Sequence, residues 1–237
     1  MFERIADGRT DLVIDWIEQG GAVDESDAQG TSLIQYCAYY GDVSAIRVLV
    51  GHGAKIESLG SNLGLNSAAF HGHWRLCQFL LEQGADANNT LHATRETPLH
   101  AAASAANRPS YDHVVRLLLA AGADPNARAA VGVATGNFMR DCRTRGETPL
   151  HRAAAFATEV SIAAMIAAGG RLDATDSVGD TPLSWASWHQ RPSAILRLLC
   201  QSDNGLNPDS HWTGDHGAGW RGLDAHLVGT PRPRPTD

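Results

Sequence analysis

The chain contains 237 residues, of which 43% are hydrophobic, and it carries a formal net charge of −7. The acidic balance argues against general nucleic-acid binding, and no stretch is long and apolar enough to span a membrane. The N-terminus lacks the basic and then apolar sequence of a signal peptide. Arginine outnumbers lysine 18 to 1, Lys55 being the only lysine, which is typical of proteins from GC-rich genomes. We therefore expect a cytoplasmic protein without membrane partners, from a GC-rich bacterial genome.

The cysteines are spread along the chain and form no Cys-x-x-Cys pair. They are Cys37, Cys77, Cys142 and Cys200. Cys37 and Cys77 fall at core positions of predicted helices, and scattered cysteines of this kind are usually free thiols in a reducing compartment. We expect buried thiols and no disulfide framework.

A short phrase recurs along the chain, and its clearest copies are Thr97–His100, Thr148–His151 and Thr181–Ser184. The last two copies begin about 33 residues apart, a period that predicts an array of small stacked units. Two weaker copies, Ser32–Gln35 and Leu63–Asn66, keep the apolar residue but lose Pro and His. Those losses predict looser local turns.

Each unit has the pattern of two short helices followed by a hairpin. Thr97 is a suitable N-cap, and Pro98 suits the first helical turn. A second apolar segment stops at Gly122, which can adopt the left-handed conformation that follows a helix C-terminus. The predicted units cover approximately residues 1–24, 28–57, 59–88, 93–126, 144–173 and 177–203, the first of them truncated.

Several segments resemble the ankyrin repeat. They read ETPLHAAA, LLLAAGADPNA, GETPLHRAAA, SAAFHGHWRLCQFLLEQGADAN and GDTPL. The resemblance covers about residues 1–203 and implies an all-α solenoid of helix-turn-helix units with hairpin fingers, with about five repeats and a truncated N-terminal capping unit. It also implies protein binding, with His100 and His151 hydrogen-bonded to the backbone between neighbouring units.

An insertion at about residues 127–143 breaks the period where the family places a hairpin finger. One interpretation is a tolerated surface loop, because insertions at loop tips cost little. The other is an enlarged binding finger, since aromatic and Arg residues are enriched at binding hot spots. The candidate binding residues of this finger are Phe138, Met139, Arg140, Arg143 and Arg145.

Aromatic residues and histidines precede several of the predicted turns between the two helices of a unit. In ankyrin proteins these positions line the concave face, where partners are often bound. The candidate binding residues there are Tyr39, Tyr40, Phe70, His71, Phe156, Trp188 and His189. Such rings either bind a partner or pack across repeats. We favour binding for Tyr39, Tyr40 and Trp188, and packing for Tyr36 and Trp185.

Motifs of catalysis are missing from the sequence. It contains no Gly-rich phosphate loop, no Gly-x-Ser-x-Gly and no His-Glu-x-x-His. Glu96, Glu147 and Asp180 each precede the Thr of a unit, where a carboxylate can stabilise a helix N-terminus through its dipole. We therefore predict no enzyme activity, no cofactor and no metal site.

Residues 204–237 form a Gly- and Pro-rich tail. The spacing of Trp220, Leu223 and Leu227 predicts a short helix near residues 219–228 that caps the last unit. A linear motif for a partner is the alternative. Scattered polar residues of the tail match no established metal-ligand spacing, and they are His211, Asp215, His216 and His226.

The function predicted from these patterns is a monomeric protein-interaction module. It would act as an adaptor or regulator that binds a protein partner through the concave helix face and the long finger. One alternative is an enzyme or metal-dependent effector that uses the insertion and the tail. A second is nucleic-acid binding by the Arg-rich finger, which the acidic charge of the chain disfavours.

Overall fold

The computed structural model describes residues 1–104, 108–135 and 143–200, and its helices follow one another in antiparallel pairs. The first helices of the pairs, here called inner helices, are α1 (Phe2–Ala6), α3 (Leu33–Tyr40), α5 (Leu65–His71), α7 (Pro98–Ala103), α9 (Pro149–Phe156) and α11 (Pro182–Trp188). The second, or outer, helices are α2 (Val13–Glu18), α4 (Val43–Gly51), α6 (Trp74–Glu82), α8 (Pro109–Ala120), α10 (Glu159–Ala167) and α12 (Ser193–Leu199).

The pairs stack in chain order, because each inner helix packs against the next inner helix and each outer helix against the next outer one. The apolar residue of the repeated phrase lies in the core in four successive units, as Ile34, Leu65, Leu99 and Leu150, each at most 1% exposed. Burial of one such side chain contributes roughly 1.5–3 kcal/mol. The prediction of an all-α solenoid of helix-turn-helix units is confirmed.

The repeated phrase both begins a helix and joins two units. The backbone N–H of Thr97 donates to Nδ1 of His100, so the ring carries its proton on Nε2. That Nε2–H donates to the carbonyl oxygen of Glu147 in the next unit, at 3.2 Å. His151 makes the same bond to the carbonyl of Asp180, at 3.0 Å. The structure therefore confirms the inter-unit role that the family resemblance implied for both histidines.

Amides replace histidine in the weaker copies of the phrase. Asn66 lies at the position of His100, and its side-chain amide approaches the carbonyl oxygen of Glu96 at 3.4 Å. Gln35 uses its amide to reach the carbonyl oxygen of Ser58, at 3.0 Å. The connection between units therefore survives the loss of His, but through groups that do not titrate.

A second row of asparagines joins the hairpins. The side-chain amides of Asn62, Asn88 and Asn126 donate to carbonyl oxygens of the following hairpin at 2.8–2.9 Å. Their side-chain oxygens accept from backbone N–H groups of the same hairpins. Asn88 and Asn126 end the segments Asp-Ala-Asn and Asp-Pro-Asn, so these segments connect neighbouring hairpins.

The insertion builds a two-stranded antiparallel sheet from β1 (Val131–Ala134) and β2 (Arg143–Arg145), with Val131 paired to Arg145. It therefore lengthens a hairpin, as the sequence predicted, and adds strands that the sequence analysis did not predict. The predictions for Phe138, Met139 and Arg140 lie outside the described residues. So do the predicted capping helix near residues 219–228 and the scattered histidines of the tail.

Candidate protein-binding surface

Exposed rings from two successive units meet at the N-terminal end of the inner face. Tyr39 is 57% exposed and Tyr40 is 40% exposed at the end of α3. The ring centroids of Tyr39 and Tyr40 lie 5.1 Å apart, and those of Tyr39 and His71 lie 5.2 Å apart. Phe70, which is half-buried, packs edge-on against His71 at 5.2 Å. The structure thus brings four sequence-predicted residues into one group, here called the aromatic cluster.

The backbone beneath the aromatic cluster is held firmly. His73 donates from Nε2 to the carbonyl oxygen of Tyr39, at 2.9 Å, and its ring covers Gly41. Gly41 has a φ of +74°, and an added Cβ would lie 2.6 Å from the His73 ring. Glycine is therefore required there for both its conformation and its size. The Tyr40 hydroxyl donates to the carbonyl oxygen of Ala6, at 3.0 Å.

His71 is kept neutral in this setting. Partial burial lowers its pKa from the ordinary value, and the neighbouring ring of His73 adds to that effect. The two imidazole rings stack with centroids 5.7 Å apart. At neutral pH the aromatic cluster therefore presents uncharged rings, which suits contact with apolar or aromatic groups of a partner.

A groove of about 380 Å³ opens beside the cluster, between α3 and α5. Its lining includes Thr31, Gln35, Tyr36, Tyr39, Leu59 and Leu63. The groove exists because α3 and α5 pack less closely than α5 and α7 or α9 and α11. Between α3 and α5 the chain runs through Asn62 and Leu63, each with a φ of 51°. Leu63 and Gly64 stand where the clearest copies of the phrase have Thr-Pro.

This groove is a feature that the sequence analysis missed. Its signal was the loss of Pro and His from the phrase at Leu63–Asn66, which we interpreted only as a looser turn. Proline at the first helical position fixes the backbone for helix entry. Without it, the left-handed residues Asn62 and Leu63 start α5 differently, and a space remains beside Tyr39.

The C-terminal end of the inner face is closed. Trp188 is only 3% exposed, and it packs with Trp185, Ala155 and Phe156. This burial does not fit the expectation that Trp188 presents its ring to a partner, so we leave it out of the candidate surface. The packing role expected for Trp185 agrees with the structure, and its indole N–H donates to the Asp176 carboxylate at 3.2 Å.

Phe156 and His189 form the remaining ring pair of this end, with centroids 4.7 Å apart. Both side chains are half-buried. Burial lowers the pKa of His189, and the nearby charge of Arg191 lowers it further. Arg191 itself donates to the carbonyl oxygen of Ala155, at 2.9 Å, which ties α11 to α9.

A buried ionic cluster lies between α7 and α9. Arg152 is fully buried; its Nε donates to Glu147 at 2.9 Å, and its Nη2 lies 2.5 Å from Glu96. Burial alone would raise the pKa of Glu96, but the charge of Arg152 and several hydrogen bonds hold it below the ordinary value. Ser104 accepts from Arg152 at 3.1 Å, and Thr135 donates to Glu96 at 2.6 Å.

This ionic cluster changes the roles that the sequence suggested. Glu96 and Glu147 were expected to act on helix dipoles, whereas the structure gives them Arg152 as a direct counterion. Because Thr135 follows β1, the hydrogen bond to Glu96 also fixes the base of the insertion against the helices. The start of the enlarged finger is therefore built into the buried structure.

The described arginines of the finger make contacts within the protein. Arg143 donates to the carbonyl oxygen of Gly132 at 2.7 Å, across the sheet. The Arg145 guanidinium lies 3.9 Å from the carboxylate of Asp176, whose side chain is fully buried. These contacts use part of the donor capacity that a nucleic-acid phosphate would need.

The part of the chain that the structure describes contains neither a cluster of metal-ligating side chains nor a helix that could span a membrane. In residues 1–104, 108–135 and 143–200, no three His, Cys, Asp or Glu side chains stand close enough to hold a metal ion. In the same ranges, no helix has the length and apolar character needed to cross a membrane.

Comparison with known proteins identifies related sequences. The profile of the family described as ankyrin repeats (3 copies) matches residues 4–91 and 63–129. The chain is 32% identical over 99 residues to human ankyrin repeat and SOCS box protein 3, covering 39% of this chain and 19% of that protein.

Two longer matches cover most of the repeat region. The chain is 28% identical over 206 residues to neurogenic locus notch homolog protein 1 of Xenopus tropicalis, covering 84% of this chain and 7% of that protein. It is 25% identical over 206 residues to palmitoyltransferase AKR1 of Lachancea kluyveri, covering 74% of this chain and 27% of that protein. The chain therefore spans only a minor part of the length of these relatives.

Proposed function

The chain belongs to the ankyrin repeat family, and on that basis we propose that it is a protein-interaction module with one main binding surface. This surface consists of the aromatic cluster together with the groove between α3 and α5. In this role the protein acts as an adaptor or regulator of a protein partner. Ankyrin repeats generally mediate such interactions, and the named activities of the relatives belong to those much longer proteins.

The observation that carries the proposal is the exposure of Tyr39 at the edge of a groove. A tyrosine that is 57% exposed beside a concave space of about 380 Å³ combines an aromatic side chain with room for a partner. Tyr and Trp dominate binding hot spots because they bury much area at low entropic cost. The rigid backbone under Tyr39 reduces the ordering cost of binding further.

We propose the enlarged finger as a secondary contact. In the sequence, Phe138, Met139 and Arg140 stand between the two strands, and Arg143 and Arg145 belong to β2. Support comes from the hydrogen bond between Thr135 and Glu96, which fixes the start of the finger to the buried ionic cluster. This attachment of the insertion to the core supports the finger as a positioned binding element.

Cellular placement is part of the proposal. We assign the protein to the cytoplasm of a bacterium, acting as a monomer. The free thiols support a reducing compartment, since Cys37 and Cys77 are buried and unpaired. Burial raises the pKa of each thiol to about 12, so neither is a reactive thiolate at neutral pH.

The test is affinity capture from the native lysate with the tagged full chain. We expect Tyr39→Ser/His71→Ser to reduce capture of specific partners about tenfold or more, which corresponds to at least 1.4 kcal/mol. The matched control is Val160→Ser on α10, because Val160 is 42% exposed but lies on an outer helix. Val160→Ser should capture the same proteins as the wild type.

Two results would contradict the proposal. Equal capture by the wild type and by Tyr39→Ser/His71→Ser would remove the aromatic cluster as the binding surface. Loss of capture by both the cluster variant and Val160→Ser would show a general effect unrelated to the cluster. A third variant that shortens residues 136–142 separates the finger from the cluster, and we expect it to reduce capture less than the cluster variant does.

A further inference from the structure

The hairpins that border the groove are acidic. Residues 1–91 alone carry a formal net charge of −7, equal to that of the whole chain. Asp27 accepts hydrogen bonds from the backbone of Thr31 and from the hydroxyl of Tyr36, and both of these residues line the groove. The bond from Tyr36 holds the pKa of Asp27 below its ordinary value, so its carboxylate is ionised.

Further carboxylates lie on the two hairpins that contribute Thr31 and Leu59 to the groove. Glu25 lies on the first hairpin, next to the bridge between Ser26 and Ser32, and Glu57 precedes Ser58 on the second. Both side chains are exposed. Within residues 22–31 and 54–62, which form these two hairpins, Lys55 is the single basic residue. The groove therefore combines tyrosine rings with an acidic border.

The tail of the same chain contains a basic, proline-rich segment. Residues 231–235 read Pro-Arg-Pro-Arg-Pro, two arginines between three prolines. Alternating prolines favour the polyproline II conformation, which is already extended and loses little entropy on binding. Proline-rich segments of this type bind grooves lined by aromatic side chains, and arginines within them pair with carboxylates at the edge.

The length of the intervening chain is sufficient to bring this segment to the groove. From α11 to α5 the inner face crosses three helix-to-helix steps of roughly 8–10 Å, about 30 Å in all. The segment of about 30 residues that begins at position 201 and ends at 230 reaches about 100 Å when fully extended. A random coil of that length has an r.m.s. span of about 30 Å, which matches the distance and corresponds to a high effective concentration.

We propose that residues 231–235 of this chain occupy the groove between α3 and α5 of the same molecule. Proline rings pack against Tyr36 and Tyr39, and Arg232 and Arg234 pair with the carboxylates of the two acidic hairpins. This inference rests on the proposed function, because it assigns the same surface to an internal ligand. A protein partner must then displace the segment, so the tail acts as a competitive regulator of binding.

Photo-crosslinking of the full chain tests the contact directly. We place p-benzoylphenylalanine at position 39 in place of Tyr39 and identify the linked peptides by mass spectrometry. The expected product has the mass of one chain and joins position 39 to residues 231–235. The matched control carries the same group in place of Val160, which is exposed on α10, and should give no such product.

Charge reversal in the tail is the second part of the crosslinking experiment. In the chain that carries Arg232→Glu/Arg234→Glu, the crosslink from position 39 to residues 231–235 should fall at least fivefold. An unchanged crosslink in this variant, no crosslink to residues 231–235, or equal crosslinking from position 160 would overturn the proposal. A product with the mass of two chains would overturn it as well, because it would make a second copy the occupant.

The same variant separates this inference from the proposed function. If the tail competes with a partner, Arg232→Glu/Arg234→Glu should increase partner capture several-fold over the wild type. Failure of the crosslink together with loss of capture by Tyr39→Ser/His71→Ser would refute the tail contact and leave the partner surface supported. A crosslink together with unchanged capture by that cluster variant would support the tail contact and refute the partner surface.

Discussion

At the two ends of the inner face, equivalent repeat positions hold an exposed aromatic ring in one case and a buried ring in the other. The last two residues before the turn are Tyr39 and Tyr40 in one unit and Trp188 and His189 in another. Tyr39 is 57% exposed, whereas Trp188 is 3% exposed. At the first position α3 and α5 leave a groove, while at the second Arg191 ties α11 to α9 through the carbonyl of Ala155.

This difference shows that aromatic content alone does not define a binding surface in a repeat array. The spacing between successive inner helices decides whether a ring is available. Where Thr-Pro begins both helices, as in α9 and α11, the helices pack closely and aromatic rings fill the interface. Neither α3 nor α5 begins with Thr-Pro; these two helices pack less closely, and the ring of Tyr39 stays exposed.

The largest expected effect is at the buried ionic cluster of Arg152, Glu96 and Glu147. This cluster belongs to the half of the inner face that contains α7, α9 and α11, here called the closed half, whereas α3 and α5 form the open half. Arg152→Met leaves Glu96 and Glu147 buried without their counterion, and breaking a buried pair costs about 3–5 kcal/mol. Urea unfolding measures the loss in the free energy of unfolding. Arg171→Met is the matched control, because Arg171 pairs with Asp173 on the surface and exposed pairs contribute about 0–1 kcal/mol. Similar losses in the two variants would contradict the role of Arg152.

The second prediction compares the two equivalent positions themselves. Trp188→Ala should lower the free energy of unfolding by about 3 kcal/mol, because it removes a large side chain from a packed interface. Tyr39→Ala should lower it by about 0.5 kcal/mol, since most of that ring is already in contact with water. Thermal or urea unfolding of both variants tests the contrast. Equal losses would show that the two ends of the inner face do not differ in the way described.

The repeat architecture was predictable from the sequence, and the exposure of its surface residues was not. Periodic Thr-Pro-Leu-His phrases specify helix starts, and His100 and His151 have the contacts that the family resemblance implied. Periodicity assigns Tyr39 and Trp188 to the same face, but it carries no information on the spacing between helices. The backbone between α3 and α5 passes through Asn62 and Leu63, whose left-handed conformations the repeat pattern does not predict.

The charged residues show a similar limit. Glu96, Glu147 and Asp180 each precede the Thr of a unit. Their environments nevertheless differ, because the residue equivalent to Arg152 differs from one unit to the next. In the last described unit that position is Trp185, whose indole N–H donates to the carboxylate of Asp176. Contacts of this kind join residues about 50 positions apart, as between Arg152 and Ser104, and single-sequence patterns do not reveal such pairs.

The third prediction is that acid loosens the closed half before the open half. Burial lowers the pKa of His151 to about 4 and that of His100 well below its ordinary value. Above pH 6.5 both histidines are neutral in the folded and in the unfolded chain. As the pH falls from 6.5 towards 4 the unfolded chain gains protons that the folded chain excludes, so stability falls, by at most about 3 kcal/mol for His151.

The amides of Gln35 and Asn66 occupy the same position in the open half and do not titrate. Hydrogen exchange at pH 5 should therefore increase in α7, α9 and α11 more than in α3 and α5. His151→Gln should flatten the dependence of the melting temperature on pH between 6.5 and 4, whereas the exposed His92→Gln should leave it unchanged. Uniform exchange along the whole array would contradict this prediction.

The smallest expected effect separates two carboxylates at one repeat position. Burial raises the pKa of Asp180 to about 7, the charge of Asp176 adds to this, and Arg145 offsets part of it. The folded chain therefore holds a proton on Asp180 between about pH 4 and 7 that the unfolded chain releases. Stability from this group rises as the pH falls through that range, and above pH 7 a buried charge opposes folding.

Asp180→Asn should therefore raise the free energy of unfolding at pH 8 by about 1 kcal/mol, with the gain disappearing near pH 5. Glu147→Gln is the matched variant, and it should lower stability at pH 8 because Glu147 pairs with Arg152. Urea unfolding at the two pH values measures both effects. Opposite signs at pH 8 would show that the residue at the Arg152 position, arginine in one unit and tryptophan in the next, decides whether the preceding carboxylate stabilises the array. Equal signs would show that the repeat position alone determines the effect.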